Sequence, residues 1–225
     1  MGALTGPFNR PHHIYRTEGL GGLLGRVYRL LVRRCFEYST YYLYAKPVPR
    51  AEGLSEAQST AGADGIMPRL VSSNEEVDEL EAEGFEFRSH VPNARERLDQ
   101  GAVATCVFVG NQLAHIGWVA FDQRALDSLN EPPYKVDFAN REAVGTGAWT
   151  SPRHRGKGLG EHGASLFHMV ARDNGIEVRR YAMRKGNIPS IKVQERVSDP
   201  CGEGRYFRVL WWKSWRERPL PPERR

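Results

Sequence analysis

The sequence predicts a mixed α/β domain preceded by a helical appendage. Three observations carry this. Strand-like and helix-like runs alternate from about residue 66 to residue 212. A Gly110-Asn111 pair joins two apolar runs, 103–109 and 113–121, as a hairpin would. A glycine-rich turn, Ser151 to Gly160, stands between a strand-like run and a helical one.

Taken in order, residues 1–49 form an N-terminal extension. In it Leu20, Leu23, Leu24, Val27, Leu30 and Leu31 recur at helical spacing, with Arg26, Arg29, Arg33 and Arg34 off that stripe. Such a helix fits an anionic membrane surface, the protein's own core, or a second subunit in a homodimer. Tyr38, Tyr41, Tyr42 and Tyr44 follow it. Residues 50–65, rich in Ala, Gly, Ser and Glu, read as a linker. The main domain spans 66–215 and a basic tail 216–225.

The domain opens with a strand at 66–71. Asn74 then caps a helix over 75–83, whose first turn is acidic, where the helix dipole favours it. A second short helix covers 93–100. After the hairpin, 122–133 reads as a loop and 143–150 as the end of a strand. A helix over 158–173 is stopped by Asn174-Gly175. A strand at 177–183, a helix at 188–196 and a final strand at 206–212 complete the order.

Composition narrows the classes of function. With 40% hydrophobic and 26% charged residues the chain is globular rather than disordered or fibrous. The net charge of +5 is concentrated at both ends and suits anionic partners without choosing among them. A nucleic-acid partner would rest on that charge alone, since packing of a final strand explains Trp211, Trp212 and Trp215 as well as base stacking does. Cys35, Cys106 and Cys201 are odd in number and form no CxxC pair, which argues against a disulfide framework or a structural metal. No apolar run approaches the roughly 20 residues of a membrane span. The first residues lack the apolar core of a signal peptide, so a cytoplasmic location is expected.

The turn is the strongest chemical signal. Pro152 ends the strand because it cannot donate to a ladder. Gly156, Gly158 and Gly160 let backbone N–H groups converge on a ligand without Cβ interference. The helix that follows presents unpaired N–H groups and its positive dipole end to the same place. Arg153, Arg155 and Lys157 add positive charge. Together these suit a pyrophosphate. The Gly-Lys-Ser/Thr ending of a P-loop is missing. The antiparallel context also fits poorly with a dinucleotide fold. A second glycine cluster, Gly19 to Gly25, follows no strand.

Arg155-Gly-Lys-Gly-Leu-Gly160 resembles the R/Q-x-x-G-x-G/A motif of the GNAT superfamily of acyl-CoA-dependent N-acyltransferases. Asn187-Ile-Pro-Ser190, after the strand at 177–183, is similar to that family's N-x-x-S helix entry. The resemblance covers about two thirds of the chain and omits residues 1–65. It implies a mostly antiparallel sheet flanked by helices, with acetyl-CoA or another acyl-CoA as co-substrate and an amine as acceptor. It further implies that the strand ending Ala148-Trp149-Thr150 parts from its neighbour and binds the pantetheine amides. The N–H groups of Arg155, Gly156, Lys157, Gly158, Leu159 and Gly160 would then hold the pyrophosphate. Asn187 and Ser190 would reach the cofactor arm; Asn187 reads equally as a helix N-cap.

The chemistry needs a base for the ammonium, polarisation of the carbonyl and stabilisation of the leaving thiolate. An N–H near Trp149 serves the carbonyl. Glu142 is the candidate base, with His115 and Asp137 as rivals and a water chain as another route. Where the family places an acidic tyrosine, this chain has Gln194, which donates a hydrogen bond but supplies no proton at neutral pH. Ser198-Asp199-Pro200 also replaces the usual Gly-Phe. Tyr206 is the substitute candidate. The same departure leaves room for a non-catalytic acyl-CoA-binding module.

Overall fold

The protein is described by a computed structural model over residues 36–49, 65–129, 131–195 and 198–220. The helical stripe Leu20–Leu31, the linker as far as residue 64 and the last five residues therefore lie outside the described residues.

The chain enters on strand β1 (Phe36–Pro47), then β2 (Ile66–Val71), helix α1 (Asn74–Ala82) and helix α2 (Ala94–Asp99). The hairpin β3 (Val103–Val109) and β4 (Gln112–Ala120) leads to a short helix, α3 (Gln123–Ser128). Strand β5 (Glu142–Thr150), helix α4 (Leu159–Asp173), β6 (Val178–Arg184) and helix α5 (Ile188–Gln194) follow. A second hairpin, β7 (Gly202–Val209) and β8 (Trp212–Pro219), closes the chain. The described strands form one eight-stranded sheet in the order β2-β3-β4-β5-β6-β1-β7-β8. Every neighbouring pair is antiparallel except β5–β6, which is parallel. The fold is thus mixed α/β with a mostly antiparallel sheet.

Two expectations about the ends are corrected. Residues 36–47 are not part of a helical appendage. They form β1, wedged between β6 and β7, with Tyr41, Leu43 and Tyr44 buried. Residues 216–219 are not tail but the second half of β8. Three local differences follow from side-chain hydrogen bonding. Ser73 rather than Asn74 caps α1, accepting the Glu76 N–H at 3.3 Å. Asn74 instead ties α1 to α2, its amide donating to Arg95 O at 3.1 Å and to Asp99 Oδ1 at 2.7 Å. Within the expected loop 122–133, Asp122 accepts the Ala125 N–H at 2.8 Å and starts α3.

Alternation along the strands divides the core between the two faces of the sheet. The larger cluster, with Val77, Leu98, Cys106, Trp118, Leu126 and Val144, joins α1, α2 and α3 to one face. On the other face α4 packs Phe167 and Ala171 against Val119. Tyr44 and Tyr181 stack on that second face, with ring centroids 4.9 Å apart.

Candidate functional site

The site begins where β5 and β6 part. Their pairing runs through Glu142↔Val178, Ala143↔Arg179 and Val144↔Arg180 and ends there. On its other edge β5 stays paired with β4 as far as His115↔Thr150. Among the described residues, the stretch from Gly145 to Trp149 therefore has an edge with no strand beside it, and backbone donors and acceptors along it face the gap. Gly147 to Trp149 are exposed, whereas Ala143 and Val144 are fully buried.

A bulge shapes this stretch. The register with β4 shifts between Ile116↔Trp149 and Trp118↔Thr146, which leaves one extra residue on β5. Gly147 absorbs it at φ +63°, where a Cβ would sit 3.1 Å from Trp118 Cδ1. Both the backbone and the neighbour demand glycine at that position. The bulge directs Trp149 to the face carrying α1 and α2, where its ring lies 6.4 Å from that of His90.

The glycine-rich turn stands at the end of the parted strand. After a 3₁₀ turn at Pro152–His154, Gly156 and Gly158 both take left-handed backbone, at φ +76° and +75°. Among the described residues nothing lies within 4 Å of where a Cβ on Gly156 would be, so the turn has an open side. Gly158 starts α4, whose first N–H groups have no preceding helical turn to bond. Leu159 fixes that helix end by packing on Val107 and Ala114 of the β3–β4 hairpin. Arg153, Arg155 and Lys157 are exposed around the opening, and Arg155 Nε donates to Thr150 O at 3.2 Å. The donor set suits a pyrophosphate: open backbone N–H groups, a helix N-terminus and three exposed cations.

His115 does not serve as an open base. It is buried, and its Nδ1 lies 2.8 Å from Thr150 Oγ1. A Cβ at Gly163 would come within 2.6 Å of its Nε2, so the ring fills the space that glycine leaves on α4. Burial pushes its pKa down, which keeps the imidazole neutral. His115 thus joins β4, the end of β5 and the start of α4.

The other proposed catalytic side chains lie away from the gap. Glu142 sits at the closed end of β5, with Oε2 accepting the Asp137 N–H at 2.8 Å and lying 3.5 Å from Arg180 Nε. It stands five residues before the bulge, about 17 Å along the strand. Asp137 caps its own 3₁₀ turn through Asn140. Tyr206 lies on β7, three strands from β5 in the sheet order, or about 14 Å. Sequence order put these residues near the parting of the strands; strand length and sheet order carry them away from it.

Asn187 and Ser190 stand at the start of α5, which follows β6 past the gap. The Asn187 side chain makes no capping hydrogen bond, so its N-cap role is not used, and the residue is exposed. The Gln194 amide nitrogen is buried without a hydrogen-bond partner among the described residues. A donor in that state is available to a ligand atom.

Sequence reasoning missed Glu131. It belongs to the connection from α3 to β5, which crosses the face carrying α1 and α2. Lys135 N–H donates to Glu217 Oε1 on β8 at 2.9 Å, and Arg180 Nη2 donates to Lys135 O at 3.3 Å. Burial pushes the Glu131 carboxyl above the usual range, opposed by a hydrogen bond with Thr146 and by Arg97 and Arg184. Thr146 immediately precedes the bulge glycine, so this carboxylate stands beside the parting of the strands. Arg97 lies over the Trp118 ring at 5.1 Å, with a buried Nε that has no partner among the described residues. A loop residue has no periodicity to reveal it, and only the fold brings Glu131 to β5.

No protein-family model matches the sequence, and no curated protein matches it. Among solved structures the chain is similar to a GCN5-related N-acetyltransferase from Kribbella flavida, at 17% identity and a TM-score of 0.36, over 74% of this chain and 54% of that one. It is similar to the GCN5-related glucosamine N-acetyltransferase region of a fungal multi-domain beta-N-acetylglucosaminidase, at 8% identity and a TM-score of 0.47, over 86% of this chain and 22% of that one. A functionally unknown conserved protein from Staphylococcus epidermidis matches at 12% identity and a TM-score of 0.41, over 87% of this chain and 63% of that one. The chain spans less than two thirds of each of these structures.

Proposed function

We propose that this protein binds an acyl-coenzyme A between β5 and β6 and transfers its acyl group to an amine. One observation carries the reading: β5 leaves β6 after Val144 and ends in a turn with two left-handed glycines and the N-terminus of α4. A free strand edge suits the amides of a pantetheine arm, and the turn suits its pyrophosphate.

An acyl-CoA supplies an acyl group already activated as a thioester. On the face carrying α1 and α2, Glu131 accepts a proton from the acceptor's ammonium. Its raised pKa makes it a stronger base than a solvated glutamate. The free amine attacks the carbonyl carbon, and a backbone N–H of the Gly147–Trp149 stretch receives the developing oxyanion. The attacking nitrogen gives up its second proton to water, and the carbon–sulfur bond then breaks. Gln194 donates a hydrogen bond to the departing thiolate, which takes its proton from water. The products are an amide and free CoA.

Gln194 also supports a second reading, a module that binds acyl-CoA without turning it over. One experiment separates the two. The protein is titrated with acetyl-CoA by calorimetry, then incubated with acetyl-CoA and a library of primary amines while free thiol is measured. Binding with amine-dependent thiol release supports the transferase. Binding without release across the library supports the module, and absence of CoA binding removes both.

A further inference from the structure

The β7–β8 hairpin ends in the sequence Val209-Leu-Trp-Trp212, and its side chains face water. Trp211 is 86% exposed, Trp212 56% and Leu210 49%. Along β1, which starts beside this tip through Phe36↔Val209, Phe36 and Tyr38 are exposed as well. Ring contacts join the patch: Phe36 to Phe207 at 5.1 Å and Phe207 to Trp212 at 5.8 Å. The turn itself does not ask for these residues. Leu210 holds φ +54°, a conformation that favours glycine at the first turn position.

The charges around the tip are mostly positive. Arg208 stands directly across from Lys213, and Arg205 across from Arg216. Like charges placed opposite each other destabilise a hairpin unless an anion lies between them. Glu37 reaches Arg208 at 3.3 Å but is shared with Arg184. Glu217 on β8 is taken by Lys135 N–H and by Trp215 Nε1. Arg205, Lys213 and Arg216 have no acidic partner among the described residues.

We propose that this hairpin tip docks on an anionic lipid surface, with Leu210, Trp211 and Trp212 entering the interface and the flanking cations meeting lipid phosphates. Tryptophan and tyrosine favour that boundary because their rings are apolar at one end and polar at the other. Each nearby cation adds attraction to an anionic leaflet. Complementary charge selects lipid over a second copy of this chain, whose own tip would bring the same cations together. The proposal stands apart from acyl transfer. The register also puts the tip at the end of the sheet where β5 and β6 part, since Tyr41 pairs Arg184 and Phe36 lies five residues beyond it. Docking turns that opening toward the membrane.

The test is cosedimentation of the full chain with phosphatidylcholine vesicles, with and without phosphatidylglycerol. Binding is expected only with the anionic lipid, accompanied by a blue shift of tryptophan emission. Trp211→Ser together with Trp212→Ser should lower the bound fraction at a given lipid concentration by about tenfold or more. Trp211→Ser alone, at the more exposed position, should lower it while leaving the melting temperature unchanged. Arg205→Glu with Arg216→Glu should abolish the dependence on anionic lipid. No binding to the mixed vesicles overturns the proposal. So does undiminished binding by the Trp211→Ser variant, which would locate the contact elsewhere. Self-association relieved by the same variant, without vesicle binding, would make the patch an interface between copies.

Discussion

Glu131 and Gly147 show how much rests on single positions where the strands part. Burial raises the Glu131 pKa, and in the proposed reaction its carboxylate takes the proton above that value and is lost as base when pH falls through it. The rate of acyl transfer should therefore fall on an acid limb centred above the ordinary glutamate value of about 4.3. Glu131→Gln should reduce kcat/KM at neutral pH by about 10²-fold and flatten that limb. A pH profile of thiol release measures both, and an unchanged acid limb would remove Glu131 from the reaction. Gly147→Ala meets left-handed backbone and Trp118 together, and urea unfolding should show a loss of about 1–3 kcal/mol. Glu203 gives a third case. It is buried between Lys185 and Arg218, whose hydrogen bonds pull its pKa down. A depressed folded pKa adds stability above the unfolded value and loses it as pH falls. Glu203→Gln should thus destabilise the protein by about 1–3 kcal/mol at neutral pH, with the difference from the unchanged chain closing in acid.

At the scale of elements, the turn between β5 and α4 was the most legible part of the molecule. Pro152 and the glycines mark it by conformational need, and those needs are local. Strands β2 and β3 were equally plain, because apolar β-formers fill short runs bounded by turn residues. Strand β1 was hidden because its partners, β6 and β7, lie roughly 130–170 residues away and its tyrosines follow a helical stripe. Strand β8 was hidden by its charges. A mostly exposed edge strand carries lysine, arginine and proline, and these read as a tail although Trp215 packs on the core. Helix α3 is too short for a period to show, although Asp122 is a serviceable cap. The candidate site divides the same way: its backbone half lay in one contiguous motif, and its side-chain half comes from separate elements. A test at this scale is Gly156→Ala. It forces a Cβ into left-handed backbone where no neighbour clashes, so the change acts on the turn's shape. CoA affinity by calorimetry should fall about tenfold. Equal affinity would take the pyrophosphate away from this turn.

For the whole molecule, the arrangement of the sheet decides what can be removed. Deleting residues 1–47 takes out the strand between β6 and β7 and leaves two new edges in the middle of the sheet. The shortened chain should be insoluble or lack a cooperative thermal transition by circular dichroism. A soluble, cooperatively melting product would show that the sheet closes without β1. Order of synthesis gives the same strand another consequence. β1 is among the first described segments to leave the ribosome, and both of its partners are among the last. Its tyrosine-rich length must wait unpaired while more than half of the chain is made. That interval is when an aggregation-prone strand is most exposed, and long-range pairing of this kind folds slowly. The protein's demand for chaperones should therefore follow the speed at which its C-terminal hairpin is delivered, rather than the strength of the completed fold.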